Sequence, residues 1–253
     1  MFGSELIEDR VRNPQQKGPA IVPFITAGYP HKDDFLSLVQ ALADCADVIE
    51  IGVPFSDPMA DGVTIQRSSH LAIESGVRLR WILNQLKTIS INTPIILMSY
   101  LNPLYVYGYT QLAQDSKDAG VDGFIVPDLP IEEGEELREI LKLAGLGMIQ
   151  LVTPTTPKDR IKKIAAKSSG FLYAVTVKGV TGGNDGLPQE VTGYLETVKA
   201  LTTIPVCAGF GVRSRSDVAL LEPLVDGVIV GSALVEAIED QVSPVDFLTS
   251  LRA

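Results

Sequence analysis

Two carboxylates on either side of a turn carry the clearest chemical signal in this chain: Glu50 and Asp61. Glu50 sits in the β-branched run Val48-Ile49-Glu50-Ile51. A charge buried there is costly unless it has a partner or a task. Asp61 follows in the segment from Gly52 to Gly62, which is broken by Pro54 and Pro58. One acid on a rigid strand and another on the loop beside it is a frequent way to move protons. The plainer reading pairs Glu50 with a Lys or Arg at the strand end and makes Asp61 a turn cap.

A second signal is glycine. Gly209-Phe210-Gly211 closes one apolar run, and Gly231-Ser232-Ala233 closes the next and opens a helix pattern. Glycine lets backbone N–H groups approach an anion closely, and a helix N-terminus favours phosphate without any Lys or Arg. Ser232 would donate to a phosphate oxygen or, in the plainer reading, cap its helix. Phe24, Tyr100, Tyr173 and Phe210 also fall at or near strand ends. Any one of them reads as core packing; four together fit a flat aromatic substrate with a phosphorylated tail.

These residues need a scaffold that gathers strand ends. Eight short apolar runs recur, at Ala20–Thr26, Val48–Ile51, Pro94–Ser99, Gly123–Val126, Gly147–Leu151, Phe171–Thr176, Pro205–Gly209 and Asp226–Val230, each followed by an amphipathic segment. Uniform strand–helix alternation predicts a parallel sheet covered by helices. Eight units in 253 residues predict a single (β/α)₈ TIM barrel, one domain over 1–253, in which strand C-termini share one face. Gly3–Arg12 reads as an extra N-terminal helix across the bottom. The longest connections follow strands two and six. The first holds Asp61. The second holds Lys178-Gly179-Val180-Thr181-Gly182-Gly183-Asn184-Asp185-Gly186, which reads either as a lid or as an ordinary surface loop.

Composition narrows the function classes. A net charge of −10 lacks the basic face that nucleic-acid binding requires. No apolar run is long enough to span a bilayer, and Met1–Arg10 has no secretory pattern. Cys45 and Cys207 lie in apolar stretches without metal-ligand spacing, which predicts reduced core thiols and a cytoplasmic protein. His31 and His70 do not pair at ligand spacing, so no metal is expected and both read as surface or capping residues.

Pro23-Phe24-Ile25-Thr26-Ala27-Gly28-Tyr29-Pro30, the Glu50–Gly62 block, Gly179-Val180-Thr181-Gly182, Gly209-Phe210-Gly211 and Gly231-Ser232-Ala233 together resemble the α subunit of tryptophan synthase. The resemblance runs from about Phe24 to the last strand. It implies cleavage of indole-3-glycerol phosphate to indole and glyceraldehyde 3-phosphate. It implies no cofactor in this chain, and a pyridoxal-phosphate-dependent β subunit as partner in an α2β2 heterotetramer. By motif position, Glu50 would be the general acid/base and Asp61 the second catalytic carboxylate. Thr181 would order the lid against Asp61. Gly182, Gly211, Gly231 and Ser232 would hold phosphate, and Phe24, Tyr100, Tyr173 and Phe210 would surround indole and the glycerol chain. Pro54, Phe55, Asp57, Pro58, Asn102 and Pro103 would face the β subunit, with the aromatic loop Leu101–Tyr109 beside them.

Three positions depart from the family pattern: Val63 where proline is common, Ala174 where a bulkier residue is usual, and Lys178 where a small hydroxyl residue stands. Lys178 would permit Schiff-base chemistry as a minor alternative. Two further readings stay open: a stand-alone lyase that releases free indole, and a weakly active module that mainly activates a β partner.

Overall fold

The structure, a computed structural model, describes residues 2–176, 187–209 and 211–252. Eight strands close into a parallel barrel in sequence order: β1 (Ala20–Thr26), β2 (Ile49–Gly52), β3 (Ile95–Met98), β4 (Gly123–Ile125), β5 (Gly147–Val152), β6 (Leu172–Val175), β7 (Val206–Gly209) and β8 (Gly227–Val230). The expected strands are all present, most with an end trimmed by a residue or two. Helices α1 (Gly3–Arg12), α2 (Phe35–Ala43), α3 (Val63–Glu74), α4 (Leu79–Leu86), α5 (Leu101–Tyr107), α6 (Tyr109–Asp118), α7 (Glu135–Ala144), α8 (Lys158–Ala165), α9 (Gln189–Ala200), α10 (Arg215–Leu221), α11 (Ser232–Glu239) and α12 (Pro244–Arg252) complete the described elements.

Alternation along the strands sorts side chains into two cores. One parity points outward, where Ile21, Ile25, Ile49, Ile51, Leu97 and Val228 pack against the helices. The other points inward, where Val22, Val48, Ile96, Ile125, Ile149, Phe171, Cys207 and Ile229 fill the barrel. Glu50 shares its parity with Val48, so the backbone aims its carboxylate into the interior. Helix α1 plugs the bottom of that interior with Ile7 and Val11, as its amphipathic spacing predicts.

At the bottom, polar residues just ahead of each even-numbered strand tie down the odd-numbered strand before it. Asp47 Oδ2 accepts from the Ile21 N–H at 2.8 Å. Asp122 accepts from Ile95 at 2.9 Å and Asp226 from Val206 at 2.9 Å. Ser168 and Ser169 accept from Gln150 and Met148 at 2.9 and 2.7 Å. Each clamp satisfies an N–H that the short parallel strands leave unpaired. Asp47 also takes the Arg252 guanidinium at 2.5 Å, which anchors α12. Burial pushes the Asp122 carboxyl up to about 6.

The run Leu101–Tyr109, expected as a loop, is helical: it forms α5 and the start of α6. Pro103 falls in the first turn of α5, where no intrahelical N–H bond is lost. Both cysteines are free and buried. His70 is exposed beside Glu74, and His31 precedes a short 3₁₀ turn.

Candidate active site

The top of the barrel collects the carboxylates. Glu50 is almost fully buried, and its Oε2 has no hydrogen-bond partner among the described residues. Burial, and then the nearby charge of Asp61, push the Glu50 carboxyl up to about 8. Glu50 therefore carries its proton at neutral pH and can act as an acid. The plainer reading of a strand-end ion pair fails, because no Lys or Arg is bonded to it among the described residues.

Asp61 lies on the ten-residue connection between β2 and α3. The Tyr100 hydroxyl donates to Asp61 Oδ2 at 3.0 Å and accepts from the Ala60 N–H at 2.9 Å. Gln66, on α3, donates to the Asp61 carbonyl at 2.9 Å. Burial raises the Asp61 carboxyl, and the Tyr100 hydrogen bond opposes that rise. The two acids thus differ in kind: one is buried with no hydrogen bond among the described residues, the other is held by a phenol. Environments that differ in this way set two carboxyls apart in how readily each gives up its proton.

A cavity of about 220 Å³ joins them to the other strand ends. Phe24, Ile65, Met98, Tyr173 and Ile229 line it, together with Thr176, Gly209, Gly211, Gly231 and Ser232. Two glycines make the aromatic wall possible. A Cβ on Gly52 would lie 2.5 Å from Phe24 Cζ, and one on Gly209 would lie 2.6 Å from the Tyr173 oxygen. Sequence reasoning missed both, although each closes a strand beside an inward aromatic. Tyr173 is held well above the ordinary phenol range, by burial first and then by the fields of Glu50 and Asp61.

The other end of the cavity is built from backbone. Gly211 adopts φ 69°, a conformation that glycine enters freely. Gly231 is the N-cap of α11 and makes no side-chain cap bond, so Ser232 is the first helical residue and not the cap. The opening N–H groups of a helix have no intrahelical acceptor and favour an anion. Among the described residues, no group of three or more His, Cys, Asp or Glu is placed to hold a metal ion.

A family model for the tryptophan synthase alpha chain matches residues 11–247. The chain belongs to the tryptophan synthase alpha chain family. The alpha chain of Nitratidesulfovibrio vulgaris (strain DP4) is 44% identical over 237 residues, covering 92% of each chain. That of Roseiflexus sp. (strain RS-1) is 44% identical over 244 residues, covering 92% of this chain and 93% of the relative. Tryptophan synthase subunit alpha from Legionella pneumophila str. Paris superposes with a TM-score of 0.87 at 34% identity, over 100% of this chain and 97% of that one. A chain from the Pyrococcus furiosus α2β2 complex superposes at 0.84 with 37% identity, covering 92% and 97%. The reaction of this tryptophan synthase alpha chain is a lyase step, cleavage of indole-3-glycerol phosphate to indole and glyceraldehyde 3-phosphate.

Two departures from the alpha-chain pattern fall on described residues. Val63 is the first residue of α3 and is largely exposed. Proline is favoured at that position but not required there. Ala174 is fully buried on the outward parity of β6, facing the helix layer and not the cavity. Thr181, Gly182, Lys178 and Phe210 lie outside the described residues.

The residues assigned to a partner face divide. Asp57 and Asn102 are exposed; Phe55, Pro58 and Pro103 are half-buried, and Pro54 is buried. Phe55 stacks on Tyr100 with ring centroids 5.0 Å apart. Of the aromatic run, Tyr105 and Val106 are exposed, while Tyr107 folds back to donate to Asp115 at 2.6 Å.

Proposed function

We propose that Glu50 is the general acid/base and Asp61 the indole-orienting carboxylate of indole-3-glycerol-phosphate cleavage. Breaking the bond between indole C3 and the glycerol chain requires a proton on C3, and the ring then becomes cationic with charge at its N–H. An ionised Asp61 at that N–H stabilises the cation as it forms. The substrate hydroxyl next to the breaking bond loses its proton as the aldehyde appears. Glu50 gives a proton to carbon and recovers one from oxygen, so the cycle closes without a net proton. The observation that carries this reading is the buried, unpartnered Glu50 oxygen in the cavity that Asp61 also lines. Burial raises its carboxyl to about 8, and no ion pair ties it down among the described residues.

Phosphate binds at Gly182, Gly211, Gly231 and Ser232, and Thr181 works with Asp61. Phe24, Tyr173, Phe210 and Tyr100 enclose the indole and glycerol. The chemistry of this chain needs no cofactor. One catalytic barrel spans 1–253 and works in the cytoplasm, where the two buried thiols stay reduced.

The partner is a β subunit that carries pyridoxal phosphate and consumes indole. The Pyrococcus furiosus structure describes mutual activation within an α2β2 complex. Supporting that partner, Asp57 and Met59 on the connection after β2 and Asn102, Tyr105 and Val106 on α5 after β3 are all exposed, a mix of aromatic, apolar and polar residues suited to an interface. Indole release from indole-3-glycerol phosphate, measured with and without a tryptophan synthase β subunit, tests this reading. Slow release that rises at least tenfold with β supports coupling. Fast release indifferent to β would make the chain a stand-alone lyase.

A further inference from the structure

Helices α3 and α11 pack against each other beside β1, and four polar side chains cross the seam. Thr64 and Arg67 lie one turn apart on α3; Glu236 and Glu239 lie one turn apart on α11. The buried Thr64 hydroxyl donates to Glu236 Oε1 at 2.8 Å. Arg213, two residues beyond Gly211, donates to Glu236 Oε2 at 2.7 Å. One turn further along, Arg67 pairs with Glu239 Oε2, and the Tyr29 hydroxyl donates to Glu239 Oε1 at 2.5 Å. Among the described residues, each glutamate therefore joins α3 to α11 and to a further loop at the top of the barrel.

The two helices begin at the two ends of the cavity. α3 opens two residues after Asp61, and its Gln66 holds the Asp61 carbonyl. α11 opens at Ser232, one turn before Glu236. Arg213 brings the Gly211 turn into the same set. Half-exposed ion pairs add little to stability, so the worth of these bonds lies in the distance they fix. A mispositioned anion site costs substrate capture directly.

We propose that Glu236, bonded to Thr64 and Arg213 and supported by the Glu239 rung, is a positioning residue that holds the phosphate cradle at a fixed distance from the Asp61 loop. Phosphate arriving at Ser232 thereby meets a carboxylate already placed for the indole end of the same molecule. The inference rests on the assignment of Asp61 and of the Gly211, Gly231 and Ser232 cradle made above.

Steady-state cleavage of indole-3-glycerol phosphate with a β subunit present tests it, beside calorimetric titration with glycerol 3-phosphate. Thr64→Val and Glu236→Ala should each raise KM and weaken glycerol 3-phosphate binding by about fivefold or more, the usual worth of one hydrogen bond. kcat should change less than KM. Thr64→Val removes the Thr64 bond and Glu236→Ala removes it together with the Arg213 bond, so the double variant should be no worse than Glu236→Ala alone. Thr64→Ser, which keeps the donor, should restore KM. If Thr64→Val does not fold, the Glu236→Ala variant at the half-exposed Glu236 carries the same test. Wild-type cleavage with KM and phosphate affinity unmoved in both variants would overturn the brace alone. A wild-type chain that releases no indole would overturn the site assignment and the brace with it.

Discussion

Glu50→Gln should change how stability depends on pH, by an amount the structure sets. The Glu50 carboxyl moves from an ordinary 4.5 to about 8 on folding. A group whose folded value is raised holds a proton in the native state that the unfolded chain releases. Stability is then undiminished below about 4.5 and falls as pH rises toward 8. Integrating that window from pH 5 to pH 8 gives a loss on the order of 3 kcal/mol from this one side chain. Glutamine has the same shape and no ionisation, so the variant lacks this slope, whatever constant cost its buried amide adds. Urea unfolding of both proteins at pH 5 and pH 8 isolates the effect, since the other titrating groups largely cancel in the difference. The variant should gain about 3 kcal/mol on the wild type between the two pH values. Parallel stability curves would mean that Glu50 ionises normally in the folded protein, and the argument for a proton held at neutral pH would fall.

Tyr100→Phe removes the donor that opposes the rise of the Asp61 carboxyl. The acid limb of kcat/KM should move to higher pH and turnover should drop about tenfold; an unmoved limb would show that Tyr100 only packs. Gly209→Ala places a Cβ 2.6 Å from the Tyr173 oxygen. kcat/KM should fall roughly tenfold as the ring is displaced, read against a crystal structure of the variant; full activity would mean that Tyr173 is not fixed. Asp122→Ala leaves the Ile95 N–H without its acceptor. It should cost about 1–3 kcal/mol in urea unfolding while indole release per folded molecule is retained.

The barrel was legible because its signal is repeated: eight apolar runs of strand length, each followed by an amphipathic helix, and Gly3–Arg12 spaced to plug the bottom. The inward aim of Glu50 follows from its parity with Val48. What stayed hidden depends on contacts between distant residues. Nothing local marks Gly52 and Gly209 as room for Phe24 and Tyr173, or Tyr100 as the tether of Asp61. α5 was masked by Asn102 and Pro103, which read as loop residues although the first turn of a helix tolerates both. Ser232 was read as a possible cap because serine favours that position, but the backbone turns one residue earlier, at Gly231. The clamps had a readable trace: Asp122-Gly123 and Asp226-Gly227 both stand at strand starts. Each aspartate alone looks like a turn residue, and only the closed sheet shows what it holds.

The proposed cleavage depends on Glu50 and Asp61 together carrying the proton chemistry. Its most direct test is indole release from indole-3-glycerol phosphate by folded wild type, Glu50→Gln and Asp61→Asn, each saturated with a β subunit. Turnover should fall by about 10² or more in each variant, with native circular dichroism and retained β binding. Near-wild-type turnover in either folded variant would remove that carboxylate from the mechanism.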